Sequence, residues 1–179
     1  MKRILTGLRC SAENLHLGNY LGAIKPLVDL SKKGETFLML ADVHSLTTVH
    51  DGADLARNKK AVLLDYFSLI DEKLLESPSF FIFEQSKVKR LMDIFWVLSS
   101  VTPYSLILRS HAFKDAQVKN AQINMAVFNY SILMTADIIT YDVDFVPVGK
   151  DQQQHIEFAR DIAEFFNNTY KTQIFKLPS

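Results

Sequence analysis

Apolar and polar positions are arranged along the chain in blocks that are typical of strands followed by helices. Two nearly continuous apolar runs, Phe37–Leu40 and Phe80–Phe83, have the length of strands and suit a sheet covered on both faces. We expect strands at Arg3–Gly7, Thr36–Asp42, Ser79–Gln85 and Asp144–Val148. We expect helices at Gly18–Lys33, Asp54–Ile70, Val88–Val101, Asn120–Thr140 and Asp151–Asn167.

This alternation predicts an α/β fold, a parallel sheet with helices on both faces and right-handed crossovers. The sequence has no internal repeat, low-complexity tract or Pro/Gly linker, so we expect one domain over residues 1–179. Ligands of such folds bind beyond the carboxyl ends of the strands, near the topological switch point. Polar segments directly after predicted strands are therefore the first candidates for a functional site.

Composition and charge narrow the function classes only a little. A chain of 179 residues with 48% hydrophobic content can form a sizeable core. Its 20 basic and 20 acidic residues cancel, so no strong basic field indicates nucleic-acid binding. The single cysteine, Cys10, excludes an internal disulfide and fits a reducing cytoplasm. No apolar run is long enough for a signal peptide or a membrane span, so we expect a cytoplasmic protein without a membrane partner.

The first candidate motif is His16-Leu17-Gly18-Asn19, which follows the first predicted strand. A helix start offers free backbone N–H groups to an anionic ligand, and a glycine lets that ligand approach the backbone closely. His16 can donate a hydrogen bond to a phosphate oxygen. The alternative is a glycine turn with Asn19 as a helix cap, and the residues alone leave both interpretations open.

The second candidate motif runs from Val146 to His155 and predicts a buried strand, a turn at Gly149 and a helix start. Asp151 could accept hydrogen bonds from ribose hydroxyls, because the Gly149 turn would let a ribose come close. Alternatively, Asp151 and Gln154 form a capping box, a role compatible with ligand binding. His155 alone is more often structural. No pair of histidine or cysteine residues has zinc spacing, so we expect no metal site in the protein.

The third candidate is a helix face. Tyr130, Met134 and Asp137 fall at positions i, i+4 and i+7 and therefore share one side of a helix. An acid among apolar residues costs free energy unless it is paired. An indole N–H is a donor without acceptor capacity, so a carboxylate suits it. The alternative partner of Asp137 is a backbone N–H or a basic side chain.

Together these motifs resemble the class I aminoacyl-tRNA synthetases, and within them the tryptophan-specific branch. The segment Tyr130–Asp137 carries this likeness most specifically, because the tyrosine-specific branch usually has glutamine where Met134 stands. The resemblance covers the whole chain and implies a Rossmann-like catalytic domain. The family's second signature, Lys-Met-Ser-Lys-Ser, and its helical anticodon-binding domain do not occur in these 179 residues. We therefore expect a fragment that binds tryptophan but forms adenylate slowly.

The resemblance also implies the reaction and its participants. Tryptophan would be activated by ATP with Mg²⁺ to tryptophanyl-adenylate and then transferred to tRNA(Trp), by a homodimeric full-length enzyme whose tRNA contacts lie mostly outside this chain. Two alternatives stay open. One is a tyrosine-specific synthetase. The other is a non-catalytic tryptophan- and nucleotide-binding module, which the missing signature and Ala116 favour, because the family usually has a lysine at that position.

Site residues are implied in three groups, all by the resemblance. The catalytic group is His16, Asn19 and Lys114. The ATP-binding group is Arg9, Cys10, Ser11, His16, Gly18, Asn19, Gly149, Lys150 and Asp151, with Asp151 on the ribose. The tryptophan-binding group is Leu5, His44, Tyr130, Met134, Asp137, Val146, Val148 and Gln152. Within it, Asp137 would meet the indole, and Tyr130 and Gln152 the α-amino-acid end.

Five segments add expectations of their own. The loop 9–14 departs from the family's Gln-Pro-Ser-Gly pattern and adds one residue. The stretch Asp42–Thr47 resembles a segment beside the amino-acid pocket, and Arg109–Asp115 resembles a mobile loop near the ATP phosphates. The paired lysines Lys32-Lys33 and Lys59-Lys60 are interpreted as solvated helix faces.

Overall fold

The structure is a computed structural model that describes residues 2–118, 123–147 and 153–177. These residues form two compact units. The first unit consists of residues 2–88 and 144–147, and the second unit of residues 89–118, 123–143 and 153–177. The prediction of one domain over the whole chain stays a prediction. Among the described residues, no helix has both the length and the apolar character needed to cross a membrane.

The first unit contains a parallel sheet of β1 (Lys2–Arg9), β2 (Gly34–Ala41) and β3 (Phe80–Glu84), in that order. The prediction of an α/β, Rossmann-like fold with a parallel sheet is confirmed. The helices of this unit are α1 (Leu17–Asn19), a π-helical turn (Tyr20–Ile24), α2 (Lys25–Ser31), α3 (Asp42–Ser45), α4 (Gly52–Leu69) and α5 (Glu72–Leu75), with a 3-10 turn (Gln85–Lys87) after β3.

The core of the first unit is built from alternate residues of the strands. Ile4 of β1 and Leu38 of β2 are fully buried, and they belong to one cluster with Leu27 of α2 and with Val62 and Tyr66 of α4. Successive side chains of a strand point to opposite faces, so one face of the sheet is buried by these helices. Burial of that face is the main contribution to the stability of the unit.

The first strand is longer than predicted. It continues through Gly7 to Arg9, which pairs with Ala41 of β2. A Cβ atom at Gly7 would lie 2.8 Å from the Cε atom of Met39. Gly7 therefore lies within the strand, against the Met39 side chain, and not at its end.

The fourth predicted strand, Asp144–Val148, is reduced to one parallel bridge between Ile4 and Phe145. The Leu5 N–H donates to the Phe145 carbonyl oxygen at 3.1 Å, on the edge of β1 that β2 leaves free. Pro147 has no N–H with which to continue the ladder, and Val148 lies outside the described residues. The strand order therefore reverses at β1, which makes the carboxyl ends of β1 and residues 144–147 the topological switch point.

The second unit is helical. Its helices are α6 (Leu91–Val101), α7 (Tyr104–Ile107), α8 (His111–Val118), α9 (Met125–Phe128), α10 (Tyr130–Thr140) and α11 (Gln153–Thr169). Helices α6, α10 and α11 pack against one another. Leu98, Ala136 and Ile162 are fully buried.

Two predicted helices of this unit have different bounds in the structure. The helix predicted at Asn120–Thr140 is divided into α9 and α10 at Asn129, and Asn124 caps α9 by accepting a hydrogen bond from the Val127 N–H at 3.0 Å. Residues 120–122 lie outside the described part. The helix predicted from Val88 begins at Leu91, because Arg90 has a φ of 72° and cannot continue a right-handed helix.

Candidate functional site

The segment after β1, residues 10–16, is tied to its surroundings at both ends. The Cys10 N–H donates to Ser45 Oγ at 2.7 Å, and the Cys10 carbonyl oxygen accepts from Asn58 Nδ2 at 3.2 Å. At the other end, the Leu15 N–H donates to Asp65 Oδ2 at 2.9 Å. Asn58 and Asp65 both belong to α4 and are seven residues apart, so they share one helix face. The loop that leads to His16 is thus held by hydrogen bonds between distant parts of the chain.

His16 is the N-cap of α1, a role that the sequence analysis considered only for Asn19. Its Nδ1 atom accepts from the Asn19 N–H at 3.3 Å, and Asn19 Oδ1 accepts from the His16 N–H at 3.1 Å. The two residues therefore form a reciprocal capping box. Because Nδ1 is an acceptor, the neutral imidazole carries its proton on Nε2, where it can donate to a ligand.

Gly18 makes this arrangement possible. A Cβ atom at Gly18 would lie 2.9 Å from both Cε1 and Nδ1 of the His16 ring. Any side chain at this position would push the imidazole away from its cap. The glycine of the His-Leu-Gly-Asn motif is thus explained by the cap at His16. This explanation is compatible with a role of the motif in ligand binding.

The other residues predicted to contact ATP in this region differ in accessibility. Arg9 is exposed, and its Nη1 atom lies 3.4 Å from Thr47 Oγ1; Ser11 is exposed as well. Cys10 is fully buried in the core of the first unit. Burial, with the nearby charge of Asp42, raises the pKa of the Cys10 thiol to about 11. Its thiol faces the core and both its backbone groups are bonded within the unit, and the predicted ATP contact of Cys10 stays a prediction.

An ion-pair network lies beside this loop at the carboxyl ends of β2 and β3. Asp42 accepts from the Ser86 N–H at 2.9 Å and from Lys59 Nζ at 3.1 Å, and Lys59 also binds Glu84. Burial disfavours the charged form of Asp42, but the hydrogen bonds from Ser86 and Lys59 hold the pKa of this carboxyl below its usual value. The interpretation of Lys59 as part of a solvated helix face is wrong, since its side chain is only 24% exposed.

The short helix α3 carries His44, which was predicted to line the tryptophan pocket. His44 is buried, and the N–H groups of Val43 and His44 both donate to Gln85 Oε1 at 3.1 Å. Gln85 is itself fully buried. A glutamine side chain therefore fixes the start of α3. No local sequence pattern indicates that role.

Two further residues predicted to contact tryptophan lie in the first unit. Leu5 is 2% exposed on β1, and Val146 is half-buried in the segment that bonds to β1. Nearby, Thr6 Oγ1 donates to the Pro147 carbonyl oxygen at 3.2 Å. The structure thus brings Leu5 and Val146 to the switch point.

The predicted helix face of the second unit is present on α10. Asp137 is 3% exposed among buried apolar residues such as Ile138, whereas Met134 and Tyr130 are half-buried. Burial, and the charge of Asp137 one turn earlier, raise the pKa of Tyr141 above its usual value. The Tyr130 ring meets the His155 ring edge to face, with centroids 5.9 Å apart. This burial is compatible with a hydrogen bond that Asp137 accepts either from a group of the protein or from the N–H of a ligand. The role of Asp137 in binding therefore stays a prediction.

Lys114 lies on a helix and not on the predicted loop. Residues His111–Val118 form α8. At its start, the Lys114 N–H donates to the Ser110 carbonyl oxygen at 3.0 Å. A surface pocket of about 270 Å³ lies here. Its lining residues are Leu106, Arg109, Lys114, Gln154, Glu157, Phe158 and Asp161. The pocket carries both signs of charge, so it does not by itself indicate an anion site.

Five predicted contacts lie outside the described residues: Val148, Gly149, Lys150, Asp151 and Gln152. Within the described ranges, no group of three or more histidine, cysteine, aspartate or glutamate residues could hold a metal ion.

The residues that hold the candidate site are not among those predicted from the sequence; they are Ser45, Asn58, Lys59, Asp65, Gln85 and Ser86. One signal was available. Asn58 lies four residues before Val62 and eight before Tyr66, which places a polar residue on the apolar stripe of α4. Such a buried amide needs a hydrogen-bond partner, although the sequence does not identify it.

The comparisons agree on one family. The family model described as "tRNA synthetases class I (W and Y)" matches residues 1–179. A tryptophan–tRNA ligase of Fusobacterium nucleatum is 43% identical over 178 residues, which are 99% of this chain and 53% of that protein. The chain spans about half the length of the curated relatives it matches.

Solved structures give the same result. The tryptophanyl-tRNA synthetase of Campylobacter jejuni complexed with ADP and tryptophan matches with a TM-score of 0.87 and 42% identity, covering 99% of this chain and 54% of that one. A mitochondrial tyrosyl-tRNA synthetase of Coccidioides posadasii matches with a TM-score of 0.71 at 17% identity, covering 95% of this chain and 52% of that one. The second likeness shows the fold alone.

Proposed function

The chain belongs to the class I tRNA synthetase family for tryptophan and tyrosine, and on that premise we propose that it is the nucleotide- and tryptophan-binding part of a tryptophan–tRNA ligase. The observation that carries this proposal is the face of α10, where an acid, a thioether and a phenol lie within two turns. The likeness to relatives named tryptophan–tRNA ligase, at 43% identity, supports the choice of tryptophan.

The proposed amino-acid contacts follow from the chemistry of that face. Asp137 accepts a hydrogen bond from the indole N–H, and the Met134 thioether packs on the fused ring. Tyr130 and Gln152 meet the α-amino-acid end, and Leu5, His44, Val146 and Val148 supply further contacts. A tyrosine-specific enzyme is the second candidate, but its usual glutamine is replaced here by Met134.

The proposed nucleotide contacts follow from the switch point of the first unit. His16 donates from Nε2 to a phosphate oxygen, because its Nδ1 atom is occupied by the Asn19 N–H. The other nucleotide contacts that we propose after β1 are Arg9, Ser11 and Gly18. The proposed contacts with the ribose and phosphates are Gly149, Lys150 and Asp151. Asn19 acts through His16 by capping, and Lys114 is proposed to neutralise phosphate charge.

In the proposed reaction, a carboxylate oxygen of tryptophan attacks the α-phosphorus of ATP. The new oxygen–phosphorus bond forms as the bond to the bridging oxygen breaks, and pyrophosphate leaves with its electron pair. Such chemistry depends on positioning and charge stabilisation. Mg²⁺ would enter with ATP, held by phosphate oxygens and water, and it would neutralise charge on the phosphates.

The remaining participants are part of the same proposal. The adenylate is consumed by the terminal hydroxyl of tRNA(Trp), the full-length protein is a homodimer, and it works in the cytoplasm. We also propose that residues 1–179 belong to one catalytic domain. A non-catalytic binding module is the competing class, favoured by Ala116, which stands where a phosphate-binding lysine is usual.

The test is the exchange of labelled pyrophosphate into ATP by the full-length gene product. We expect exchange that depends on tryptophan and is not supported by tyrosine at the same concentration. Exchange with tyrosine would select the tyrosine-specific enzyme. Tight binding of tryptophan without any exchange would select the non-catalytic module.

A further inference from the structure

The sequence of residues 9–14 departs from the family pattern. The loop 10–16 is nevertheless fixed in position by hydrogen bonds to α4. Arg57 Nε binds Glu13 Oε1 at 2.7 Å, Asn58 Nδ2 binds the Cys10 carbonyl oxygen at 3.2 Å, and Asp65 Oδ2 accepts from the Leu15 N–H at 2.9 Å. None of these three α4 residues was among the predicted contacts. The loop therefore depends on a helix that carries none of the predicted substrate contacts.

Asp65 is the most consequential of the three, because of where its partner lies. Leu15 directly precedes His16, whose ring caps α1 and presents Nε2. A charge-assisted hydrogen bond to a backbone N–H is shorter and stronger than a neutral one, so it fixes the loop well at this point. Loss of the Asp65 carboxylate would free the Leu15 peptide and, with it, the entry of the chain into the His16 cap.

We propose that Asp65 is a positioning residue of the nucleotide site, which holds the Leu15 peptide so that His16 Nε2 points at the ATP phosphates; Asn58 holds the other end of the same loop. This inference rests on the proposed function. It explains how a loop with one residue more than the family pattern keeps His16 in place. The additional length is taken up between two fixed peptide groups, at Cys10 and at Leu15.

The experiment compares variants of the full-length gene product in tryptophan-dependent pyrophosphate exchange. Asp65→Ala removes the acceptor, and we expect the KM for ATP to rise about tenfold, as loss of one charge-assisted hydrogen bond predicts. The KM for tryptophan should stay unchanged. Asp65→Asn retains an acceptor oxygen for the Leu15 N–H, so it should restore most of the affinity for ATP.

Asp51→Ala is the matched control on the same helix. Asp51 caps α4 by accepting from the Ala53 and Asp54 N–H groups at 2.8 and 2.9 Å, and it does not contact the loop. A purely structural effect of weakening α4 would appear in both alanine variants as a lower Tm with an unchanged KM for ATP. Positioning raises the KM for ATP only in Asp65→Ala.

The outcomes are separable from those of the proposed function. If the unaltered enzyme shows no tryptophan-dependent exchange, the proposed function fails. If it does, and Asp65→Ala leaves the KM for ATP unchanged or changes the KM for tryptophan equally, the positioning role is overturned. Should Asp65→Ala not fold, Asp65→Leu also removes the acceptor but retains the bulk of the side chain. A KM for ATP that stays unchanged in this folded variant would also overturn the role.

Discussion

The loop that leads to His16 and the face of α10 that carries three predicted tryptophan contacts are held in place by different means. In the first unit, the loop before His16 is fixed by hydrogen bonds that join residues 35 to 50 positions apart in the chain. In the second unit, Tyr130, Met134 and Asp137 lie within two turns of α10. The position of His16 therefore depends on the geometry that distant side chains impose. The three predicted tryptophan contacts on α10 depend on the chemistry of side chains already aligned by one helix.

This difference predicts separable effects of substitution. Changes in the hydrogen bonds that hold the loop before His16 should alter the use of ATP while leaving the choice of amino acid intact. Changes on the face of α10 should alter tryptophan binding with little effect on ATP.

The largest effect is expected from Lys59→Met, which removes the cation between Asp42 and Glu84. Two carboxylates would then face each other without the cation between them, and breaking such a pair when it is buried costs about 3–5 kcal/mol. Because Lys59 is 24% and Glu84 33% exposed, we expect a smaller loss of about 2–4 kcal/mol in the free energy of unfolding. Urea denaturation followed by circular dichroism measures this loss.

Lys60→Met is the control, since Lys60 is the exposed neighbour on the same helix. Its effect should stay within about 0.5 kcal/mol. Equal effects of the two substitutions would mean that the network does not stabilise the carboxyl edge of the sheet.

A somewhat smaller effect is expected from Asp137→Ala in the second unit. Loss of a charge-assisted hydrogen bond to the indole N–H should weaken tryptophan binding by about 1.5–3 kcal/mol, measured by calorimetry. Glu164→Ala removes an exposed carboxylate from α11 and should leave tryptophan affinity unchanged. Unchanged affinity in Asp137→Ala would assign this carboxylate to an internal partner.

The smallest change in stability is expected from Gly18→Ala. Its Cβ atom would displace the His16 ring, and loss of an N-cap costs about 0.5–2 kcal/mol. The higher helix propensity of alanine returns about 0.5–1 kcal/mol. The free energy of unfolding should thus change by less than about 1.5 kcal/mol. The KM for ATP should nevertheless rise severalfold, because His16 loses its fixed orientation.

Gly22→Ala separates these two effects, because a Cβ atom at Gly22 meets no other atom within 4 Å. We expect this control to gain stability and to keep its KM for ATP. An equal KM for ATP in both alanine variants would show that the contact between Gly18 and His16 has no bearing on nucleotide binding.

The same comparison explains what could be predicted from the sequence. The face of α10 was predictable because the spacing of Tyr130, Met134 and Asp137 is a local property of a helix. The apolar runs of β2 and β3 were predictable for the same reason. Lys59 was misinterpreted because its partners lie 17 and 25 residues away, and a lysine on a helix resembles any solvated lysine until the fold brings acids to it.

The predicted ends of helices and strands are wrong where a single residue determines the backbone conformation. Arg90, with its positive φ, delays the start of α6, and Pro147 ends the pairing of residues 144–147 with β1. The cap at His16 could not be predicted from residue type, because imidazole is an uncommon cap and asparagine, here Asn19, is among the preferred N-cap residues.

The central claim is that these 179 residues contain the contacts that select tryptophan. Calorimetric titration of this chain with tryptophan, and with tyrosine under the same conditions, tests it most directly. We expect tryptophan to bind with a measurable heat that Asp137→Ala reduces, and tyrosine to show no saturable binding. Saturable binding of tyrosine with an affinity equal to or higher than that of tryptophan would contradict the claim.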